Sequence, residues 1–451
     1  MTEPRPFDLA GPLPTGFTAL EASAGTGKTF SIAGMVTRYV ADGFEIGRIL
    51  VVTFTKAAAA ELRDRIRAGI EEALAAVSDS LAGSPLDSED PVLTALCSVD
   101  HDELGRRRDR LERALSDFDT ATISTIHSYA QNLLAEQGMS GESNPDATLL
   151  EDTSIVLEQA VADVLTQRAI DGRPFVNPGW VTSGADEAMR RDYTELIPSR
   201  QDVEAKIAAG SGTANFKEVA ELADVVDEVV QRVKEIRRRR AVLGFDDLLS
   251  AARDLAVDPS SGLVDAVKSQ VDVALIDEFQ DTDSVQWQLV NALFGSKNFT
   301  LVGDPKQSIY RFRGADVNSY VRAIARAQVS TLTKNFRSDR RQLTGVAALF
   351  QNTTFGDDSI RFHPVECGRP DLELLQMGAV DASGIELRFC PELSAKADVG
   401  KAQIVNDVAA TVVELLNCGT IPDESDSGGR RAVRLVDIAI LIKAHAVAPS
   451  V

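Results

Sequence analysis

Short apolar runs recur along the chain, each closed by a small or polar residue. They read as strands at Phe17–Glu21, Ile49–Phe54, Thr122–Ser124, Val273–Asp277, Thr300–Val302 and Val329–Leu332. Between them apolar residues recur with helical spacing, at Ser31–Val40, Ala57–Ala76, His127–Ala135, Ser284–Phe294 and Val317–Ala327. Short strands alternating with helices predict an α/β fold on a mostly parallel sheet. Ligands of such sheets bind at the carboxyl ends of strands, so the residues closing each run are the candidates for chemistry. From Leu149 to Ala256 the strand candidates stop. Alanine-, valine- and acid-rich helical stretches such as Thr153–Ile170 and Phe216–Ala241 replace them, as in a helical insertion that interrupts the sheet. Ser78–Asp90 and Ser140–Pro145 read as loops, and Pro422–Gly429 as a polar turn or linker. A last apolar run, Val436–Ile442, reads as one more strand, with no helix after it; the expectation is a sheet left unfinished.

Composition narrows the class. The 451 residues suffice for several domains, and the hydrophobic (44%) and charged (25%) fractions are those of a globular protein. No apolar run approaches the roughly 20 residues needed to span a bilayer. Met1–Leu13 holds acids and prolines and no apolar core, so no signal peptide is expected. Cys97, Cys367, Cys390 and Cys418 are too dispersed for a metal quartet or an obvious disulfide framework, and a reduced, cytoplasmic protein is expected. The net charge of −21 opposes a polyanionic partner over long range, but says nothing of local grooves. Bases cluster at Arg106–Arg108, Arg237–Arg240 and Lys306–Arg313. These are either a path for DNA or ordinary solvated helix faces.

The strongest signal is Glu21-Ala22-Ser23-Ala24-Gly25-Thr26-Gly27-Lys28-Thr29, between a strand and a helix. A small-residue loop ending in Gly-Lys-Thr in that setting is a phosphate-binding loop, with Ala22 where the pattern has its first glycine. Backbone N–H groups of Ala22 through Thr29 and the helix dipole would cradle phosphates. Lys28 would reach the β- and γ-phosphates and the Thr29 hydroxyl would hold Mg²⁺.

Further motifs follow other strands. Leu275-Ile276-Asp277-Glu278-Phe279-Gln280 delivers an acidic pair at a strand end: Asp277 for Mg²⁺, Glu278 to orient and deprotonate water, Gln280 to sense the γ-phosphate. In isolation the same residues read as a capped turn. Gly303-Asp304-Pro305-Lys306-Gln307, with Tyr310, Phe312 and Arg313 beyond, mixes a phosphate contact (Gln307) with stacking and cationic groups suited to single-stranded DNA. A packed aromatic turn is the bland alternative. Phe54-Thr55-Lys56 opens a helix whose hydroxyl and N-terminus suit DNA phosphates, or merely cap it. His127 sits at another strand-to-helix turn with no partners for a triad. In Asn335-Phe336-Arg337, Arg337 would act as an arginine finger on the γ-phosphate.

In this order the motifs resemble the UvrD-type superfamily 1 helicases, and most closely the RecB-like group, the beta subunits of exodeoxyribonuclease V. The likeness rests on residues 21–30, Ser124-Thr125-Ile126-His127-Ser128-Tyr129, residues 275–283 and residues 302–316. It implies an ATP-driven, Mg²⁺-dependent 3′-to-5′ translocase on single-stranded DNA, serving double-strand break repair and recombination. RecC- and RecD-like partner subunits are implied as well. It also implies that Phe54, Thr55, Lys56, His127, Tyr310, Phe312 and Arg313 face DNA or couple it to ATP, and that Asn335 and Arg337 reach the nucleotide. The expected organisation is a RecA-like ATPase core at 1–148 and 257–328, a helical insertion at 149–256, and the truncated start of a second RecA-like domain at 329–451.

Departures from the family temper the expectation. No glutamine precedes Gln131, whereas UvrD-type proteins read adenine with one upstream of the loop. The later second-domain motifs and the nuclease carboxylates are missing after Arg337. Two other readings stay open. One is a non-processive ATP- and DNA-binding module, or the remnant of a disrupted gene. The other is a phosphate-loop kinase or small-molecule ATPase, whose hydrolysis would ignore DNA.

Overall fold

A computed structural model describes residues 5–136, 148–149, 154–190, 214–240, 242–310, 316–369, 375–378, 380–381, 384–388, 397–423 and 429–442. The expected loop at 140–145, and Phe312 and Arg313, lie outside the described residues.

The first nine strands are β1 (Arg5–Pro6), β2 (Phe17–Glu21), β3 (Ile49–Thr53), β4 (Thr122–Thr125), β5 (Thr148–Leu149), β6 (Val242–Leu243), β7 (Val273–Ile276), β8 (Asn298–Gly303) and β9 (Gln328–Thr331). Of these, β2, β3, β4, β7, β8 and β9 lie in one sheet. The chain divides into two compact units, the larger formed by Asp8–Glu21 and Thr29–Ser330. Its strands run in the order β9-β2-β8-β7-β3-β4. The registered pairs β2–β8, β8–β7, β7–β3 and β3–β4 are all parallel.

Sequence explains why these runs become interior strands. A parallel sheet is covered on both faces, so its strands are continuous apolar runs rather than alternating ones. Ile49-Leu50-Val51-Val52-Thr53 and Val273-Ala274-Leu275-Ile276 are buried at every position. Register aligns the carboxyl ends: Glu21 lies opposite Gly303, Val52 opposite Ile276, and Thr53 opposite Thr125. Each of the six strands expected between Phe17 and Leu332 is present, within two residues of its expected ends.

Helices flank the strands: α1 (Lys28–Ala41), α2 (Lys56–Leu81), α3 (Pro91–Cys97), α4 (His101–Ser116) and α5 (Ile126–Glu136). In α2, Ala59, Leu62, Ile66, Ile70, Ala73 and Val77 form one buried stripe at spacings of three and four. The stripe reaches Val77, so the helix continues through Leu81 where a loop from Ser78 was expected.

The helical stretch holds α6 (Ser154–Ile170), α7 (Pro178–Arg190) and α8 (Ala214–Arg240). These share a separate core that includes Val156, Val161, Val181, Val229 and Val233. Arg168, 3% exposed, ion-pairs with Glu221 and Glu228 across it. The expectation of no strands here needs one correction, since β5 and β6 pair in parallel. The next helix, α9 (Phe245–Val257), instead gives Leu248, Leu249, Ala252 and Ala256 to the core beneath the sheet. Then follow α10 (Leu263–Gln270), α11 (Ser284–Phe294) and α12 (Val317–Ile324).

The smaller unit gathers Met1–Phe7, Ala22–Lys28 and Thr331–Val451. Its strands β10 (Lys334–Asn335) and β11 (Glu366–Cys367) pair in parallel. A small sheet has β12 (Gln376–Met377), β13 (Val380–Asp381), β14 (Gly419–Pro422) and β15 (Arg430–Ala432) in the order β13-β12-β14-β15. Helices α13 (Arg340–Phe350) and α14 (Ala397–Cys418) complete the unit. The strand expected at Val436–Ile442 does not form. Leu435–Asp437 is a 3₁₀ turn, fixed by Asp437 accepting from Arg431 at 2.6 and 2.8 Å and from the Arg434 N–H at 2.8 Å. An apolar run becomes a strand only where a sheet edge accepts it, and here Val436 and Leu441 stay 88% and 97% exposed. Among the described residues no helix is long and apolar enough to cross a membrane.

Candidate functional site

Ala22–Lys28 of the expected phosphate-binding loop belong to the smaller unit. Gly25 and Gly27 have φ of +79° and +90°, a region that favours glycine. Ala22 is buried at 1% exposure and has no positive φ, so a methyl group is tolerated where the general pattern has glycine. The Thr26 N–H and hydroxyl both donate to Ser23 O, at 3.3 and 2.7 Å, closing the turn. Lys28 then opens α1, with Thr29 next.

The Asn335–Arg337 segment lies directly on this loop. The Asn335 side-chain amide donates to Ala24 O at 2.7 Å and the Phe336 N–H donates to Gly25 O at 2.8 Å. A Cβ placed on Gly25 would sit 2.7 Å from Arg337 Cβ, so glycine is required by the contact as well as by φ. Arg337, expected from sequence to serve the phosphates, is thus brought to the loop that carries Lys28.

The strand ends of the larger unit form a second assembly. The Asp277 N–H donates to Val52 O at 2.7 Å, and the Thr53 hydroxyl donates to Asp277 Oδ2 at 3.4 Å. Glu278 has φ of +51°, a backbone strain of about 1–3 kcal/mol for a residue with a side chain. Such strain persists where the surroundings hold it. Here the Gln280 amide donates to Glu278 Oε2 at 2.6 Å, and Gln280 Oε1 accepts the Asp304 N–H at 2.9 Å. Gln280 is 2% exposed, so its amide links Glu278 to the neighbouring strand end. Gly303 allows that approach: a Cβ there would lie 2.6 Å from Gln280 Oε1.

The path continues beyond Asp304. Its carboxylate accepts from the Gln307 amide at 2.8 Å and pairs with Lys306 Nζ at 2.7 Å. The Ser308 hydroxyl donates to Gln280 O at 3.1 Å. Two residues on, Tyr310 stacks on Phe54, with ring centroids 5.7 Å apart and 24° between planes. Beside Phe54, Thr55 and Lys56 are exposed at the start of α2, where the Thr55 hydroxyl accepts the Ala58 N–H at 3.0 Å. The structure therefore brings Glu278, Gln280, Gln307 and Tyr310 into one contact path and sets Phe54, Thr55 and Lys56 at its end.

Other expectations fare differently. His127 is half-buried, and burial holds its pKa below the ordinary value. The arginine clusters are largely engaged within the protein. Arg106 pairs with Glu103, Arg108 with Asp109, and Arg107 donates to Ala95 O and Leu96 O. Arg237 grips Asp247 at 2.6 and 2.7 Å, and Arg240 donates to Gln159.

One group escaped sequence reasoning. Glu21, closing β2, hydrogen-bonds Tyr320 and lies among Lys306 and Asp304. Burial raises its pKa above the ordinary carboxyl value against the opposing pull of Lys306. The available signal was an acid closing an apolar strand.

Mg²⁺ takes hard oxygen ligands, usually one or two carboxylates completed by substrate phosphates. The Asp277 carboxylate and the Thr29 and Thr53 hydroxyls are of that class. Among the described residues no cluster of three or more His, Cys, Asp or Glu forms an all-protein cage. The donor chemistry fits a metal that arrives with phosphates.

Residues 10–328 match the family model described as UvrD/REP helicase N-terminal domain. The chain belongs to the UvrD/REP helicase family. It is 34% identical, over 97% of its length, to the RecBCD enzyme subunit RecB of Mycolicibacterium smegmatis. It is 31% identical over 97% to that of Mycobacterium tuberculosis, and 27% identical over 95% to that of Escherichia coli. The chain spans 39%, 39% and 46% of the lengths of those three proteins. The UvrD/REP match takes in the loop, the Asp277-Glu278 strand end and the residues up to Tyr310, while Asn335 and Arg337 lie beyond it.

Proposed function

We propose that this chain is the ATP-driven motor portion of a RecB-like DNA helicase, moving 3′ to 5′ along single-stranded DNA in double-strand break repair and recombination. In this reading the loop from Ala22 to Thr29 receives ATP and Lys28 binds its β- and γ-phosphates. Thr29 and Asp277 would hold Mg²⁺, which neutralises developing phosphate charge. Glu278 orients the attacking water and takes its proton. Gln280 and Gln307 relay the state of the γ-phosphate, and Arg337 stabilises charge on it. Phe54, Thr55, Lys56, His127 and Tyr310, with Phe312 and Arg313, engage the strand by stacking and phosphate contact.

One observation carries the proposal: Gln280 bonds Glu278, Asp304 and Ser308, and Ser308 stands two residues before Tyr310, which stacks on Phe54. A hydrolytic carboxylate joined to an aromatic platform is what coupling hydrolysis to a nucleic-acid strand requires. A phosphate-loop kinase has no use for such a platform. The relatives are named as subunits of a RecBCD enzyme, so RecC- and RecD-like partners are proposed with the function. A second reading, an ATP- and DNA-binding module that does not unwind by itself, draws support from the apolar side chains left exposed at Leu435, Val436 and Leu441.

Streptavidin displacement tests the motor reading. ATP-dependent removal of streptavidin from 5′-biotinylated single strands, with none from 3′-biotinylated strands, is expected of a 3′-to-5′ motor. The opposite preference contradicts the polarity. ATP-dependent binding without displacement selects the module.

A further inference from the structure

Asn335 uses both ends of its side chain inside the protein. It is 4% exposed and sits on β10, paired in register with Cys367 of β11. Its Nδ2 donates to Ala24 O at 2.7 Å, in the phosphate-binding loop. Its Oδ1 accepts the Arg337 N–H at 2.9 Å and the Ser338 N–H at 2.8 Å. Its own backbone carbonyl accepts the Gly368 N–H at 2.7 Å, so the residue is held from behind. A single amide therefore spans 311 residues of sequence and fixes the loop and the arginine-bearing turn to each other. The bare backbone of Gly25 lets Arg337 come close.

We infer that Asn335 is a positioning residue, which sets Arg337 against the triphosphate end of the nucleotide rather than contacting the nucleotide itself. The inference rests on the proposed roles of Lys28 and Arg337. Its physical basis is the geometry of a side-chain amide. Only a group with a donor on one side and an acceptor on the other can hold a loop carbonyl and two backbone N–H groups at once. An aspartate keeps the acceptor and turns a second oxygen toward Ala24 O, replacing a hydrogen bond by repulsion between oxygens. The loop then loses its fixed distance to Arg337, while the rest of the turn keeps its shape.

The test reads γ-phosphate selectivity by binding, on the full chain, with fluorescent ADP and competing AMP-PNP in the presence of Mg²⁺. Removing a charge-assisted contact costs roughly tenfold or more in affinity. Asn335→Asp and Asn335→Ala are therefore each expected to lower the preference for AMP-PNP over ADP by about tenfold, with ADP affinity within about threefold of the parent. Because the two residues act as one unit, adding Asn335→Asp to Arg337→Ala should cause no further loss. Retained selectivity in both Asn335 variants overturns the inference, as does full additivity with Arg337→Ala. A loss of ADP affinity equal to the loss of AMP-PNP affinity also overturns it, since that is the mark of a merely structural role. Lys28→Ala keeps the two claims apart. Weakened nucleotide binding in that variant upholds the underlying reading, and unchanged binding overturns that reading and this inference with it.

Discussion

The two units hold their chemistry in contrasting ways. In the larger unit the candidate side chains hold one another: Glu278, Gln280, Asp304, Lys306 and Gln307 are joined side by side at and just beyond the ends of β7 and β8. In the smaller unit the loop's carbonyls are held by residues far away in sequence, Asn335 and Phe336. The larger unit rests on a deep core, with Leu50, Ile66, Leu275 and Phe299 at 0% exposure. The smaller leaves Val413, Leu435 and Leu441 in contact with solvent. Strand-end chemistry inherits its precision from the sheet, whereas the loop owes its conformation to a few hydrogen bonds and two glycines.

Four perturbations probe that contrast. The largest effect is expected from Glu278→Gln, which removes the proposed general base and keeps the hydrogen-bonding shape. ATP turnover should fall by about 10²–10⁴ with nucleotide affinity retained, as read by steady-state hydrolysis and equilibrium binding. A core truncation comes next. Ile66→Ala should cost about 2–5 kcal/mol in denaturant unfolding, while Val436→Ala in the smaller unit should stay within about 0.5 kcal/mol. Equal costs would erase the distinction between the units.

Gly303→Ala is intermediate. Its methyl would enter the space of Gln280 Oε1, and overpacking of this kind costs about 1–3 kcal/mol. Urea titration should show that cost together with weakened stimulation of hydrolysis by DNA, because the same contact is part of the path. The smallest effect concerns Glu21. Its folded pKa is raised by burial, so the folded state binds its proton more tightly than the unfolded chain does. The stabilising contribution of that proton is complete below the unfolded carboxyl pKa and is lost as pH rises through the folded value. Relative to the parent, Glu21→Gln should therefore gain stability as pH rises from about 4 to 8. A constant difference across that range would exclude Glu21 as a buried carboxylate.

Much of this was legible in the chain because of particular residues. Ile49–Thr53 and Val273–Ile276 announce themselves as strands because burial on two faces demands unbroken apolar runs. The Gly-Lys-Thr loop and the Asp277-Glu278 strand end are local, and local spacing carries them. Hidden features depend on distance in space. The bracket by Asn335 joins positions 311 apart, and the link from Gln280 to Asp304 requires the register of β7 beside β8. The partners of Arg106–Arg108 were hidden too, because a run of bases does not show which carboxylates and carbonyls lie opposite them. Val436–Ile442 misled because apolar character alone does not supply a neighbouring strand.

The central claim, that hydrolysis at Glu278 is coupled to a strand stacked at Phe54 and Tyr310, is tested most directly by the rate of ATP hydrolysis with and without single-stranded DNA, in the parent chain and in a Phe54→Ala/Tyr310→Ala variant. The expected rate rises several-fold with DNA in the parent, and the variant keeps the basal rate and loses the rise even at saturating DNA. A parent rate indifferent to DNA, or a variant stimulated as strongly as the parent, would contradict it.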